Sequence, residues 1–204
     1  MEQKDTYKTV ARQSEGLYKE KGSKFIALAY PVSTEEEVKE ILAELRKHYH
    51  DARHHCYAYV IGYDGQSWRA NDDGEPSSTA GKPIYGQILS RELTNTLVVV
   101  IRYFGGTKLG VSGLINAYKV AASEALDANE VEERTVNDIY SITFAYPATN
   151  EVMRLIKEED LPVMAQRFDT SCEVTVGVRQ GKTSLVLDKI DKIDSAVAEY
   201  IRTD

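Results

Sequence analysis

The sequence predicts an α+β protein of two domains, the second of the ferredoxin-like βαββαβ kind, and three observations carry that reading. Short β-branched runs, such as residues 97–101, alternate with amphipathic helical stretches. A charged interval of low apolar content, residues 127–138, interrupts them and reads as a boundary between domains 1–135 and 138–204. Beyond it the pattern restarts as strand, helix, strand, strand, helix, strand within roughly 65 residues, the order of a split βαβ domain.

Taken in order, residues 7–30 alternate in short pieces punctuated by Gly16 and Gly22, which predicts two or three strands ending in the apolar run 25–30. Thr34 and Glu37 form a capping box for a helix whose apolar stripe is Val38, Ile41, Leu42 and Leu45. Residues 54–62 alternate as a strand, with His54, Cys56, Ala58 and Val60 on one face and His55, Tyr57, Tyr59 and Ile61 on the other. Asp64-Gly65 turns the chain and residues 66–70 pair back. The polar stretch 71–81 is too rich in turn residues for a core, and Pro83 suits the first position of a helix holding Ile84, Ile88 and Leu89. In the C-terminal half, strands are expected at 139–146, 162–168, 172–178 and 196–201, and helices at 150–159 and 182–193. Residues 183–187 also suit a strand.

The most informative segment is 97–126. A strand of the kind buried on both faces leads into Gly105, Gly106, Gly110 and Gly113, where the backbone can take positive φ and come close to a guest. Ser112 can cap the following helix, which carries Leu114, Ile115, Tyr118, Val120, Ala121, Ala125 and Leu126. A helix N-terminus facing a glycine loop offers free N–H groups and the positive end of a dipole, so an anion is the expected guest. No acidic residue lies between Leu93 and Ser123, whereas Arg102, Lys108 and Lys119 do.

Composition narrows the function classes. The chain has 204 residues, 42% hydrophobic and 28% charged, with a net charge of −7, the profile of an ordinary globular protein. Both halves carry more acidic than basic residues, so any nucleic-acid contact is a local patch and no preference for DNA is expected. No apolar run of spanning length and no apolar N-terminal core are present, which predicts a cytoplasmic protein with no membrane partner. Cys56 and Cys172 lie far apart, without a CxxC pattern, and read as two buried thiols. Gly181-Lys182-Thr183 lacks the earlier glycine of a phosphate-binding P-loop, and residues 105–110 match no dinucleotide fingerprint, so no cofactor is expected.

Two constellations could carry chemistry. Arg53, His54 and His55 with Asp72, Asp73, Gly74 and Glu75 bring imidazoles beside carboxylates, as a metal-assisted hydrolase using His54 or His55 with Asp73 and Glu75 would require. Adjacent residues of a strand point to opposite faces, however, so only one histidine can join a given site. The simpler reading has the carboxylates capping turns, with neither a metal site nor a catalytic residue assigned. The second set is Lys21, Lys24, Arg53, Lys82, Arg102, Tyr103, Phe104 and Lys108, cations near rings that suit phosphate contact and base stacking. Tyr103 and Phe104 equally suit a strand end in the core. A small-anion or nucleotide sensor at the glycine loop is a third reading.

The segments KGSKFIA (21–27), ARHHCYAY (52–59), DDGEPSSTAGKPI (72–84) and VIRYFGGTKLGVSGLINAY (100–118) resemble the motifs of the IMPACT family in its bacterial YigZ/YvyE form. That resemblance implies an N-terminal domain similar to a ribosomal small-subunit protein domain and to domain IV of elongation factor G, followed by a ferredoxin-like domain similar to the factor's domain V. Eukaryotic members regulate translation, which implies a regulatory role, although their own partner does not carry over; with the glycine-loop face read above, the expectation is a cytoplasmic regulatory protein without turnover, with the ribosome, structured RNA or a translation-related protein as partner. Carried over by motif, the implied anion- or nucleic-acid-binding surface comprises Lys21, Ser23, Lys24, Arg53, His54, Arg102, Tyr103, Gly105, Gly106, Lys108 and Gly110. Asp72, Asp73 and Glu75 form the motif's acidic cluster, and His55, Gly74 and Gly81 belong to the same segments.

Overall fold

The computed structural model describes residues 5–169 and 171–204. They divide into two compact units, Tyr7–Arg134 and Thr135–Asp204, with Asp5 and Thr6 grouped in the second. The partition expected from sequence put those two residues in the first domain. Their place follows from Asp5, whose carboxylate accepts from Arg179 Nε at 2.6 Å and Nη2 at 2.9 Å, and whose carbonyl oxygen accepts the Val136 N–H at 2.8 Å.

The larger unit runs β1 (Thr6–Val10), β2 (Ser14–Glu20), β3 (Ser23–Pro31), α1 (Glu35–His48), β4 (His54–Ile61), β5 (Ser67–Asn71), α2 (Gly81–Ser90), β6 (Thr96–Tyr103), α3 (Gly110–Asp127) and β7 (Val131–Thr135). Five of these strands form one sheet in the order β2-β3-β6-β4-β5, every neighbouring pair antiparallel; β1 pairs with β7 in a separate ribbon. Residues 127–138 are therefore not bare linker, since they contain β7, whose five residues are all exposed.

Alternation along the strands builds two cores. Phe25, Ala27, Cys56, Ala58, Val98 and Val100 pack with Ile84, Ile88, Leu114, Tyr118 and Ala121 of α2 and α3. Ile26, Leu28, Tyr57, Tyr59, Leu97, Val99 and Ile101 pack with Val38 and Leu45 of α1 on the other face. Central β6 is buried on both sides, which is why it reads as an unbroken apolar run. Phe25 meets Tyr118 edge to face at 5.2 Å between centroids, a contact that adds about 0.5–1.5 kcal/mol beyond area burial.

Local chemistry sets the boundaries. Lys21 (φ 46°) and Gly22 (φ 80°) make a two-residue turn between β2 and β3, both in the left-handed region that a tight hairpin of right-twisted strands requires. The Glu37 N–H donates to Thr34 Oγ1 at 3.2 Å, while the Glu37 carboxylate reaches one residue further back than a capping box requires and accepts the Ser33 N–H at 2.7 Å. Between β4 and β5 the turn is a longer loop than Asp64-Gly65 alone, with Ile61 paired to Ser67. Helix α2 begins two residues before Pro83 because Asp72 Oδ1 accepts from the N–H groups of Ala80 (3.0 Å) and Gly81 (2.8 Å), capping the helix from a distance. Helix α3 begins at Gly110, so Ser112 lies in its first turn rather than at its cap, and Ile115 is exposed rather than core.

The second unit comprises β8 (Asn137–Phe144), α4 (Thr149–Glu158), β9 (Val163–Phe168), β10 (Cys172–Arg179), α5 (Thr183–Ile190) and β11 (Val197–Thr203). Its antiparallel sheet has the order β11-β8-β10-β9. Val152, Leu155, Val186 and Ile190 of the two helices pack on Ile142, Val174 and Val176 of the strands. Residues 183–187, for which a strand was an alternative, are helical, and Thr183 Oγ1 donates to Asp138 Oδ2 at 2.8 Å. Cys56 and Cys172 are both buried free thiols.

Candidate functional site

The candidate site lies in the larger unit, where the end of β6 enters the glycine loop and α3 begins. Gly105 lies so close to the β2–β3 turn that a Cβ there would stand 1.9 Å from the Gly22 carbonyl carbon, and its N–H donates to Ser23 Oγ at 3.1 Å. Gly106 (φ 87°) and Gly110 (φ 74°) take the positive φ that the loop needs. Gly105 and Gly113 do not; a Cβ on Gly113 would stand 2.9 Å from Leu109 Cβ.

A cavity of about 490 Å³ opens beside this loop, lined by Arg53, His54, Glu75, Pro76, Arg102, Phe104, Lys108, Leu109, Gly110, Val111 and Leu114. Its floor is a buried ion pair, Arg102 Nη1 to Glu75 Oε1 at 2.5 Å. Tyr118 Oη, itself in the core, donates to the same Glu75 oxygen at 2.8 Å, and Cys56 Sγ lies 3.4 Å from Tyr118 Oη. Burial raises both the Tyr118 hydroxyl and the Cys56 thiol above their ordinary values, so both stay protonated and act as donors. Nη1 is the Arg102 nitrogen that meets a carboxylate; Nε is buried without a hydrogen-bond partner among the described residues. The guanidinium lies 5.6 Å from the ring centroid of Phe104, a residue that is 54% exposed.

His54 Nδ1 lies 2.8 Å from the Asp73 carbonyl oxygen. A carbonyl only accepts, so Nδ1 carries a proton. Asp73 (φ 41°) is also held by Arg46 Nη2 at 2.9 Å, the His55 N–H at 2.6 Å and the Asn71 side chain, which accepts the Asp73 N–H at 2.8 Å. Burial raises its carboxyl, but the Arg46 hydrogen bond and charge with the His55 N–H outweigh it and leave the group below the ordinary carboxylate value. Asp72 caps α2 and also accepts the Ser78 N–H at 2.8 Å.

Of the residues expected at an anion or nucleic-acid surface, Arg53, His54, Arg102, Lys108 and Gly110 line the cavity. Lys21, Ser23, Lys24, Tyr103, Gly105 and Gly106 lie outside its lining. Strand alternation separates Tyr103 from Arg102. Arg102 shares the face of Val98 and Val100, whereas Tyr103 turns to the α1 face, packs against that core and donates to Asp51 Oδ1 at 2.8 Å. Burial, with the Asp51 contact, pushes the Tyr103 hydroxyl up to about 12. Lys82 is exposed in the first turn of α2.

Of the hydrolase constellation, His54 and Glu75 both line the cavity, and His54 meets the carbonyl of Asp73 rather than its carboxylate. His55 is buried on the α1 side, Asp73 and Glu75 are engaged by Arg46 and Arg102, and among the described residues no three His, Cys, Asp or Glu side chains approach one another as a metal would need. Sequence reasoning missed the apolar wall of Leu109, Val111 and Leu114, because an apolar residue opening an amphipathic helix reads as core. The 61% exposure of Val111 appears only once the helix is placed.

The profile of the Impact N-terminal domain family matches residues 21–126, which contain the whole cavity lining. The chain is 36% identical to the IMPACT family member YvyE of Bacillus subtilis over 88% of its own length and 82% of that protein's. It is 34% identical to the IMPACT family member YigZ of Escherichia coli over 80% and 81%. A crystal structure of a hypothetical protein superposes over 98% of this chain and 99% of that one, with a TM-score of 0.78 and 26% identity.

Proposed function

The chain belongs to the IMPACT family, and from that premise we propose that it is a cytoplasmic regulatory protein linked to translation that binds RNA or the ribosome through the face around the glycine loop, residues 105–113. The link to translation rests on the family, whose eukaryotic members regulate it. Among the described residues no helix is long and apolar enough to cross a membrane. We read the second unit as a ferredoxin-like domain, on its βαββαβ order and the β11-β8-β10-β9 sheet. The first unit is read by the same resemblance as the domain IV-like type.

The observation that carries the reading is the exposed Phe104 ring at the mouth of the cavity, with the Arg102 guanidinium near it and Arg53 and Lys108 beside it. An exposed ring amid cations is the combination that holds unpaired bases and their phosphates. Arg102 is paired with Glu75 and Arg46 with Asp73, so the positive charge offered at this face is that of Arg53 and Lys108, which line the cavity.

Filter binding of the full chain to structured RNA and to purified ribosomes at two salt concentrations tests this. Lys108→Ala and Arg53→Ala, both at exposed positions, should keep the wild-type melting temperature, weaken binding and flatten its salt slope by about one unit for each phosphate that is no longer neutralised. Unaltered affinity in both variants would place any RNA contact elsewhere.

A further inference from the structure

We propose that the cavity beside Phe104 receives one unstacked nucleotide, its base against Phe104 and Leu114 and its phosphate at the start of α3. The inference rests on the reading that this face meets RNA, and it names the form that is recognised. Three independent observations carry it. First, about 490 Å³ lies within the roughly 300–1,000 Å³ typical of small-ligand sites, and the walls formed by Phe104, Val111 and Leu114 are apolar, as a base requires. Second, the 18-residue helix α3 starts without a side-chain cap and without an acidic residue in its first turn, and its first residues, Gly110 and Val111, line the cavity, with Lys108 two residues before the helix. Third, Arg102 is more than nine-tenths buried in the cavity floor, yet among the described residues its Nε donates to nothing. Glu75 takes one Arg102 N–H, so a guanidinium that lines the cavity keeps donor capacity beyond that bond.

Size decides between single strand and duplex. A paired, stacked base cannot enter a pocket of this volume, whereas a base at an end, a bulge or a single-stranded stretch can, and it gains stacking on Phe104 worth about 1–3 kcal/mol. The same chemistry is offered by a free mononucleotide.

The test is a fluorescence titration of the full chain with a single-stranded decamer RNA, the blunt duplex of the same sequence, adenosine monophosphate and inorganic phosphate. Val111→Trp, which fills the cavity from an exposed position, is compared with wild type, and Phe104→Ala provides a second variant should the first melt early. The proposal expects the single strand to bind at least tenfold more tightly than the duplex, and each variant to lose at least tenfold in affinity for it. Adenosine monophosphate should compete where inorganic phosphate at the same concentration does not. If adenosine monophosphate binds and both variants abolish it while no RNA binds, the nucleotide site stands and the RNA reading falls. If both variants bind the single strand as wild type does while Lys108→Ala weakens it, the cavity proposal is overturned and the RNA reading stands. Competition by phosphate equal to that of the nucleotide, or binding of no ligand at all, overturns the proposal.

Discussion

Arg102 Nη1 lies 2.5 Å from Glu75 Oε1, and both side chains are buried. The pair ties the end of β6 to the polar loop that follows β5, and Tyr118 anchors the same carboxylate to α3. Breaking a buried pair from one side leaves an uncompensated charge, which costs about 3–5 kcal/mol, whereas removing both charges is far less harmful. Glu75→Gln should therefore destabilise strongly in urea unfolding. Adding Arg102→Met to it should recover most of the loss, because the amide oxygen still accepts from Tyr118. Additive losses in the double variant would show that the pair is not coupled.

Two glycines of the loop should respond differently to alanine. At Gly105 a Cβ would meet the backbone at 1.9 Å from the Gly22 carbonyl carbon and 2.2 Å from Ser23 N, so the loop and the β2–β3 turn must separate. At Gly106 the added carbon meets nothing within 4 Å, and only the positive φ of 87° opposes it, a strain of about 1–2 kcal/mol. Gly105→Ala should lower the melting temperature more than Gly106→Ala, and Gly106→Asn should recover part of the smaller loss. Equal shifts would mean that the close approach to Gly22 contributes nothing.

Stability should fall on mild acidification. Burial first, and the charge of Arg46 second, hold the His55 imidazole below its ordinary value of 6.5, against the pull of Asp73. The unfolded chain then binds that proton more readily than the folded one, so the stability is complete above pH 6.5 and is lost as pH drops below it toward the folded value. Urea midpoints measured between about pH 5 and pH 8 should show this decline, and His55→Gln should flatten it. A slope that survives the substitution would assign the proton uptake to another group.

Residues 7–134 contain the five-stranded sheet, both of its cores and the cavity. Expressed alone, this fragment should melt cooperatively and keep the nucleotide response of the full chain. A broad, uncooperative melt would show that it depends on the second unit.

Periodicity made much of the fold legible. Alternation in residues 54–61 assigned each side chain to its face, the unbroken run in β6 announced burial on both sides, and the spacing of Val38, Ile41, Leu42 and Leu45 defined α1. The same alternation separates Arg102 from Tyr103, although their adjacency in sequence suggested one basic and aromatic surface. Boundaries were less legible where a distant group set them. Asp72 begins α2 two residues before Pro83, and no local propensity encodes a cap delivered from outside the helix.

By itself the sequence determined most of the strands and helices, though not β7, most of the faces that their side chains occupy, the glycine loop and the absence of acid in the residues flanking it, because each of these is written in neighbours a few residues apart. The partner of Arg102, the engagement of Asp73 by Arg46 and the opening of a cavity beside Phe104 were decided only by the tertiary structure. Those relationships join residues 27 positions apart or more in the chain. They depend on how the polar loop after β5 folds back across the sheet, which is set by hydrogen bonds between distant groups rather than by any local pattern.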